Sequence, residues 1–332
     1  MTVLLASAPG PVDLPPLWVD PWTSCTHRWT SGDLSWDLTG NDRGRSLSGI
    51  FLMPGVRGMN MPPIQHHRRK SASVAGSLWR GFTTDERDVF WPLEIYAHAG
   101  SQAWIDYNRS FWSTMRPDRT GVWSVTQPGD GSTEGETRNL TLRFENDGDP
   151  AEDIAPELMG WAEYGITMKA EQPHWAGPPI TRFWDQSGGL VNYYGGGPVD
   201  QPGLGPPFVT TPGRSMATAR ISNPGDVAGL PIWTITGPCT TVQLGVGDRL
   251  ISVPFGLQAG EWLRIDTART DRRAMFGTGI PMPGVGVNRT RDLGASTRFG
   301  EVPPGQSVPL SIAMDGAGRV DMQLIPLYYM AR

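Results

Sequence analysis

The sequence contains only two cysteines, Cys25 and Cys239. Small secreted domains held together by disulfides carry more cysteines at closer spacing, so we expect two free thiols in a reducing compartment. No apolar run approaches the roughly 20 residues of a transmembrane helix. Residues 1–20 lack both the basic start and the long apolar stretch of a signal peptide. These absences predict a protein without a membrane span that is made and folded in the cytoplasm.

Lysine is nearly absent, since Lys70 and Lys169 are the only two, and the formal net charge is −5. One basic cluster stands out, at residues 66–70 (HHRRK), and the neighbouring Pro62 and Pro63 predict a loop there, either solvated or at an interface. A nucleic-acid-binding domain presents a broader basic face than this cluster. We therefore expect no nucleic-acid partner.

Metal-ligand and nucleophile patterns are also missing. The histidines show no metal-ligand spacing and no cysteine lies beside the adjacent pair. They are His27, His66, His67, His98 and His174. Residues 213–217 (GRSMA) half resemble a nucleophile elbow, but the second glycine is missing and no helix is predicted to follow.

Acidic and glycine-rich segments give no clear catalytic pattern. Glu261, Asp266 and Asp271 are close enough in sequence to suggest paired carboxylates of a glycoside hydrolase. However, Asp266 ends a predicted strand, where aspartate typically caps a turn. Residues 284–286 (GVG) lie in a proline-flanked loop without the helix that a phosphate cradle requires. We predict that the protein is not an enzyme and has no catalytic, cofactor-binding or metal-binding residues and no cofactor.

Glycine, proline and tryptophan are abundant, with 42, 31 and 14 residues respectively. Glycine and proline break helices and end strands, which favours many short strands joined by turns. Disordered chains are poor in aromatic residues, whereas here tryptophan is spread along the whole sequence. The composition therefore predicts a folded, mainly β protein.

Strand-like segments in the first half alternate with turn signals. The clearest half-buried strand is Arg87 to Ala97, where apolar residues recur with period two. Other strands are predicted at residues 26–30, 34–39, 49–53, 71–82, 121–126, 139–144 and 161–170. One helix is predicted from Ser101 to Met115, because its aromatic residues wind onto one face, with Ser101 as N-cap and Pro117 beyond its end. Such a stripe is expected to pack on a sheet.

The composition shifts between Trp175 and Arg214, where glycine and proline are crowded. This shift predicts a first domain at residues 1–183, a Gly/Pro-rich linker at 184–213 and a second domain at 214–332. The second domain reads as strands alone, at residues 215–222, 232–236, 241–244, 249–255, 262–266, 307–313 and 319–326. Regular short strands of this kind predict a β-sandwich or jelly roll.

Several segments, taken in order along the chain, resemble those of one known protein family. Residues 223–226 (NPGD), with Pro231, Ile235 and residues 237–238 (GP), resemble the opening of that family's C-terminal domain. Residues 260–267 (GEWLRIDT) resemble its strand ending in I-D-T, and Phe299 with residues 304–305 (PG) resembles a late turn. Residues 168–177 (MKAEQPHWAG) are similar to the end of its N-terminal domain. The family that these segments resemble is that of the siphophage distal tail proteins. Gln306 and Pro309 depart from the pattern, and Pro309 predicts that its strand lies at a sheet edge. The Gly/Pro-rich stretch before Arg214 is also longer than in the simplest members.

This resemblance implies an N-terminal tail-tube-like β-sandwich with one helix and a C-terminal galectin-like β-sandwich. It also implies a hexameric ring at the distal end of a virion tail, assembled in the host bacterial cytoplasm. Expected partners are further copies of the chain, the tail tube protein, the tail-tip hub protein, and possible tape measure and receptor-binding proteins. A heterologous ring needs complementary exposed apolar surfaces, to which we assign Trp79, Met59 and Met61, although ordinary packing explains each equally well.

Two alternatives remain at this point. A carbohydrate-binding host-adhesion module on the second sandwich needs exposed aromatic residues beside polar ones, and Trp233 and Trp262 are the candidates. Their positions alternate as core residues do. A secreted jelly-roll enzyme that degrades polysaccharide conflicts with the missing signal peptide.

Overall fold

The computed structural model describes residues 24–38, 48–71, 74–129, 135–148, 154–185, 191–192, 209–210, 216, 219–268 and 272–332. Its regular structure is mainly β, as predicted from the composition. Asp271 and most of both the predicted linker and the segment that half resembles a nucleophile elbow lie outside the described residues.

A nine-stranded antiparallel sheet forms the first unit. Its strands are β1 Thr26–Ser31, β2 Leu34–Asp37, β3 Gly49–Leu52, β6 Arg87–Tyr96, β7 Thr120–Thr126, β8 Thr137–Asn146, β9 Trp161–Ala170, β10 Trp175–Ala176 and β23 Leu327–Tyr328. The main order is β2-β1-β7-β8-β9-β6-β3, with β10 paired to β8 and β23. The alternating burial of β6 and β9 matches the period-two pattern of their sequences, because successive side chains point to opposite faces.

Four fully buried tryptophans show that this sheet curls upon itself. Trp91 of β6 meets Trp29 of β1 at 5.4 Å and Trp123 of β7 at 5.2 Å between ring centroids, both edge to face. Three strands separate β6 from β1 along the sheet, so these contacts require its two halves to face each other. Trp175 of β10 extends the cluster to Trp123 at 5.0 Å. The first unit is therefore sandwich-like around an aromatic core.

The predicted helix is confirmed as α1, Ser101–Trp112, and a short second helix, α2 Pro156–Met159, was not predicted. Trp104 and Phe111 are buried against the first core, as the aromatic stripe predicts. The N-cap is Gly100 rather than Ser101. Gly100 has φ 101°, a backbone conformation that glycine adopts without strain.

Two sheets face each other in the second unit. The six-stranded sheet contains β11 Ile180–Asp185, β15 Ile232–Thr236, β18 Glu261–Asp266, β19 Arg273–Thr278, β20 Val287–Asn288 and β22 Arg319–Leu324. The four-stranded sheet contains β14 Arg220–Ser222, β16 Thr241–Val246, β17 Arg249–Val253 and β21 Ser307–Asp315. Their inner faces share one core, which confirms the β-sandwich class. Strand β19 was not predicted from the sequence. The prediction that the Pro309 strand lies at a sheet edge is wrong, since β21 pairs with both β14 and β16.

Two short strands pair outside the domain in which the sequence predicted their residues to lie. β11 pairs with β22 of the second unit, although the predicted first domain extends to residue 183. In the reverse direction β23 pairs with β10, and Tyr328 joins the first core. The proposed domain bounds stay a prediction, but hydrogen bonds assign residues 180–185 to the second sheet.

Two small sheets and a turn complete the fold. β12 Val191–Asn192 pairs with β13 Val209–Thr210 inside the predicted linker, and a single 3-10 turn spans Thr290–Asp292. A long hairpin is formed by β4 Ile64–Ser71 and β5 Val74–Thr84, and we call it the arm.

Candidate interaction surface

The arm is a two-stranded ribbon whose strands pair only with each other among the described strands. An isolated two-stranded hairpin is marginally stable in water, and both of its outer edges leave backbone groups unpaired. The register shifts between His67 and Arg68 and again between Arg69 and Ser71, so bulges increase its twist. These properties indicate a segment that is suited to covering another surface.

Three large apolar side chains of the arm are exposed, on both of its faces, since the neighbours Leu78 and Trp79 point to opposite sides of β5. Leu78, Trp79 and Phe82 are 58%, 55% and 43% exposed. The rings of Trp79 and Phe82 stack 6.5 Å apart, and Trp79 Nε1 donates a hydrogen bond to His66 Nδ1 at 3.2 Å. The aromatic pair of Trp79 and Phe82 is thus held in place while remaining open to solvent.

The charge of the arm has one sign. Residues 64–84 contain four basic residues and no acidic one. These are Arg68, Arg69, Lys70 and Arg80. A shallow cleft of about 440 Å³ runs between Arg69, Lys70 and Arg80 and has Leu78 on its wall. The arm therefore combines apolar contact area with a positive field.

The loop predicted at residues 66–70 is wrong, because these residues form most of β4. Both faces of the arm are solvent-exposed, so the sequence of β4 carries no alternating pattern to reveal a strand, whereas β5 corresponds to the strand predicted at residues 71–82. His66 contacts Trp79, and His67 Nε2 lies 3.1 Å from Thr83 Oγ1. Within the described ranges, no group of three or more His, Cys, Asp or Glu residues could hold a metal ion.

The remaining histidines and both cysteines are not brought together. Burial, with a smaller contribution from Arg332, lowers the pKa of His27, and burial followed by Arg87 lowers that of His174. Cys25 and Cys239 are free and buried, and burial raises the pKa of the Cys239 thiol. None of the helices in the described part of the chain is long and apolar enough to cross a membrane.

The candidate carboxylates Glu261 and Asp266 occupy opposite ends of β18. Five residue steps along a strand separate them by about 17 Å, whereas glycosidase pairs lie about 5–9.5 Å apart. Glu261 accepts a hydrogen bond from the Gln258 amide at 2.6 Å, and Asp266 accepts one from the Ala268 amide at 2.9 Å. Both therefore act as turn caps.

The tryptophans considered for sugar binding are both buried. Trp233 lies in the second core. Trp262 faces the opposite side of the same sheet, since its neighbour Leu263 points into the core. It is covered by the close approach of Gly277 and Gly286 to its ring. The alternation of apolar residues predicted both tryptophans as core residues, but it did not predict that Trp262 lies on the outer face and is covered by these glycines.

The two methionines assigned to the ring surface differ. Met59 is 9% exposed and belongs to the first core, so that part of the assignment is wrong. Met61 is 51% exposed near the base of the arm.

Comparison with solved structures identifies the architecture. The chain superposes on the Dit protein of phage SPP1 with a TM-score of 0.53 and 12% sequence identity, over 83% of this chain and 92% of that chain. That protein is described as a paradigm of the hub adsorption apparatus in phages infecting Gram-positive bacteria. The chain has the fold of a phage Dit protein. A chain of the phage P2 baseplate in its Ca-activated conformation gives a TM-score of 0.54 at 11% identity, covering 92% and 98%. The same baseplate with Sr gives 0.54 at 12%, covering 91% and 98%. No protein-family model and no curated protein sequence match the chain.

A buried arginine ties the base of the arm to the rest of this Dit-like fold. Arg87, the first residue of β6, is 1% exposed. It donates to the carbonyl oxygens of Pro173 at 2.7 Å, Gly58 at 2.6 Å and Tyr329 at 2.7 Å, and also to that of Asn60. Burial lowers the pKa of Arg87 to about 10. The guanidinium thereby joins segments that are far apart in sequence.

Residues 327–331 also link the two units of the Dit-like fold. The Arg138 guanidinium lies 3.7 Å from the Tyr328 ring centroid and donates to the Met330 carbonyl at 2.9 Å. The carboxylate of Asp226, from the second unit, accepts the Tyr329 amide at 3.0 Å. Sequence reasoning missed this link, because neither strand length nor residue type distinguishes it.

Proposed function

We propose that this protein is a structural component of a siphophage virion, a distal tail protein that forms a hexameric ring between the tail tube and the tail tip or baseplate. The fold shared with the SPP1 Dit protein and with phage P2 baseplate chains supports this proposal. We place the protein at the distal end of the tail after assembly in the host cytoplasm.

The observation that carries the proposal is the arm. Its three exposed apolar side chains and two unpaired edges are unfavourable in an isolated chain but become buried when copies associate. Many such contacts repeated around a closed ring give a stable assembly even when each contact is weak. The remaining partners we propose are the tail tube protein, the tail-tip hub protein, the tape measure protein and receptor-binding proteins.

The function proposed is structural and not enzymatic. Support comes from the separation of Glu261 and Asp266 and from their roles as turn caps. Carbohydrate binding by the second sandwich is the alternative function. Phe183, 40% exposed beneath the Arg319 guanidinium at 4.2 Å, is the aromatic side chain that favours it. A glycan array that detects binding lost in Phe183→Ala would support this alternative.

Size-exclusion chromatography with light scattering tests the ring. The full chain is expected to elute at six times the single-chain mass of 36.2 kDa at micromolar concentration. Antibody labelling is expected at the distal end of purified virion tails. A species of single-chain mass at every concentration, together with no label on virions, would refute the proposal.

A further inference from the structure

A cleft lined by arginines lies on the second sandwich, beside the turn that joins β16 to β17. Its volume is about 520 Å³, within the roughly 300–1,000 Å³ of typical small-molecule sites. The lining residues come from three separate segments of the chain and are Asp248, Arg249, Arg272, Thr297, Arg298 and Phe299. We call these six residues the basic cleft. Its size and its converging polar side chains are those of a ligand site.

The arginines of the basic cleft lack carboxylate partners in the described part of the chain. Among the ion pairs of the described residues, none includes Arg249, Arg272 or Arg298. The one acidic side chain of the cleft, Asp248, offsets only one of their charges. Residues 214–332 contain 12 arginines and nine acidic residues, although the chain as a whole carries −5. The cleft therefore concentrates positive charge that a bound anion would neutralise.

Hydrogen bonds fix one wall of the basic cleft, residues 297–299, beside β17. The Arg298 amide donates to the Leu250 carbonyl at 2.7 Å, and the Ser252 amide donates to the Thr297 hydroxyl at 3.2 Å. Both partners belong to β17, which also carries another arginine of the cleft at its start. Two of the three arginines are thus on backbone segments that are bonded to each other. A site that is held in place before the ligand arrives loses less entropy on binding.

The third arginine of the basic cleft is stacked on an aromatic ring. The Arg272 guanidinium lies 5.0 Å from the ring centroid of Phe299, which packs against the second core and is part-buried. Stacking occupies one face of the planar guanidinium and leaves the N–H groups at its edge to donate to a ligand. The part of the Phe299 ring that stays exposed offers an apolar contact beside this donor. The cleft therefore suits a ligand that has both an anionic group and a carbon skeleton.

We infer that the basic cleft binds a sugar or polyol that carries a phosphate group. The guanidinium fork matches the oxygens of a phosphate, and a phosphate monoester carries about two negative charges at pH 7. That charge balances the three arginines and one aspartate of the cleft. Asp248 and the Thr297 hydroxyl then hydrogen-bond the hydroxyls of the ligand, and Phe299 contacts its carbon atoms. This binding goes beyond the ring assembly proposed above and does not rest on it.

Isothermal titration calorimetry of the full chain with glycerol 3-phosphate tests the basic cleft. We expect saturable binding that weakens about tenfold or more in Arg272→Gln/Arg298→Gln, because charge-assisted hydrogen bonds are lost. The matched control, Arg182→Gln/Arg220→Gln, removes the same charge from exposed residues of β11 and β14, the far edges of the two sheets. It is expected to bind like the wild type. Near-ultraviolet circular dichroism, dominated by the buried tryptophans, verifies that every variant is folded.

A comparison of probes tests the ligand class. Glycerol and inorganic phosphate are each expected to bind about tenfold more weakly than glycerol 3-phosphate, since each lacks one half of the contacts. Poly(glycerol phosphate) distinguishes the source of the ligand. Tighter binding of this polymer per phosphate indicates a phosphodiester-linked polymer and tighter binding of the monomer indicates a free metabolite, and both results support the site.

Three results would overturn the inference. They are no binding of glycerol 3-phosphate by the wild-type chain, equal weakening in the control variant, and equal affinity for inorganic phosphate or for a single-stranded oligonucleotide. A chain that binds the ester in the cleft but keeps its single-chain mass would refute the ring alone, so the two proposals fail separately.

Discussion

Replacing Arg87 by methionine tests whether its buried guanidinium holds the first unit together. The side chain is 1% exposed and donates to four backbone carbonyls from three separate segments. Leaving a buried acceptor without its donor costs about 1–3 kcal/mol, although water entering the space would recover part of that cost. Removing the unfavourable burial of the charge also offsets some of it, as the lowered pKa of about 10 indicates. We expect Arg87→Met to lower the free energy of unfolding by about 3–5 kcal/mol.

The assay is thermal unfolding followed by tryptophan fluorescence. A loss of this size corresponds to a decrease in Tm of roughly 6–20 °C for a unit of this length. Arg87→Lys keeps the charge and three donors, so we expect about half the loss. The matched control is Arg291→Met, which removes an exposed arginine and is expected to change stability by less than about 0.5 kcal/mol. An Arg87→Met protein within about 1 kcal/mol of the wild type would refute the reasoning.

Two further predictions concern pH and backbone conformation. Burial lowers the folded-state pKa of His27 and His174, so the unfolded chain binds protons first as the pH falls below about 6.5, and stability is expected to fall there. Denaturation between pH 5 and 8 should show a flatter profile when both are replaced by glutamine, and an unchanged slope would contradict this assignment. Gly58 has φ 101°, and an added Cβ would lie 2.6 Å from a side-chain carbon of β6, so Gly58→Ala is expected to lose more than about 1 kcal/mol. Gly32→Ala, at φ 60° with open space, is the control, and equal losses in urea unfolding would count against the clash.

The parts of the fold that were predicted correctly carry their own periodic signal. The stripe of α1 and the alternation of β6 reflect one buried and one exposed face, which local sequence records directly. Strands β15 and β18 were found for the same reason, to within one residue. Burial on one face is therefore what makes an element readable from a single sequence.

The missed parts depend on partners far away in sequence or on the absence of a buried face. The first strand of the arm, β4, has solvent on both sides, and β23 acquires its role only by pairing with β10. Trp262 lies on the outer face of its sheet but is buried because glycines bring a distant loop over it.

The pairing of β23 with β10 sets the order in which the protein can mature. Residues 327–328 are synthesised about 150 residues after Trp175, yet they supply the outermost strand beside it and a side chain to the first core. The first sheet therefore stays incomplete while the ribosome makes the whole second sandwich. A chain that stops before residue 327 lacks this strand and the carbonyl that Arg87 binds in Tyr329. The residues made earlier therefore cannot complete the first unit on their own.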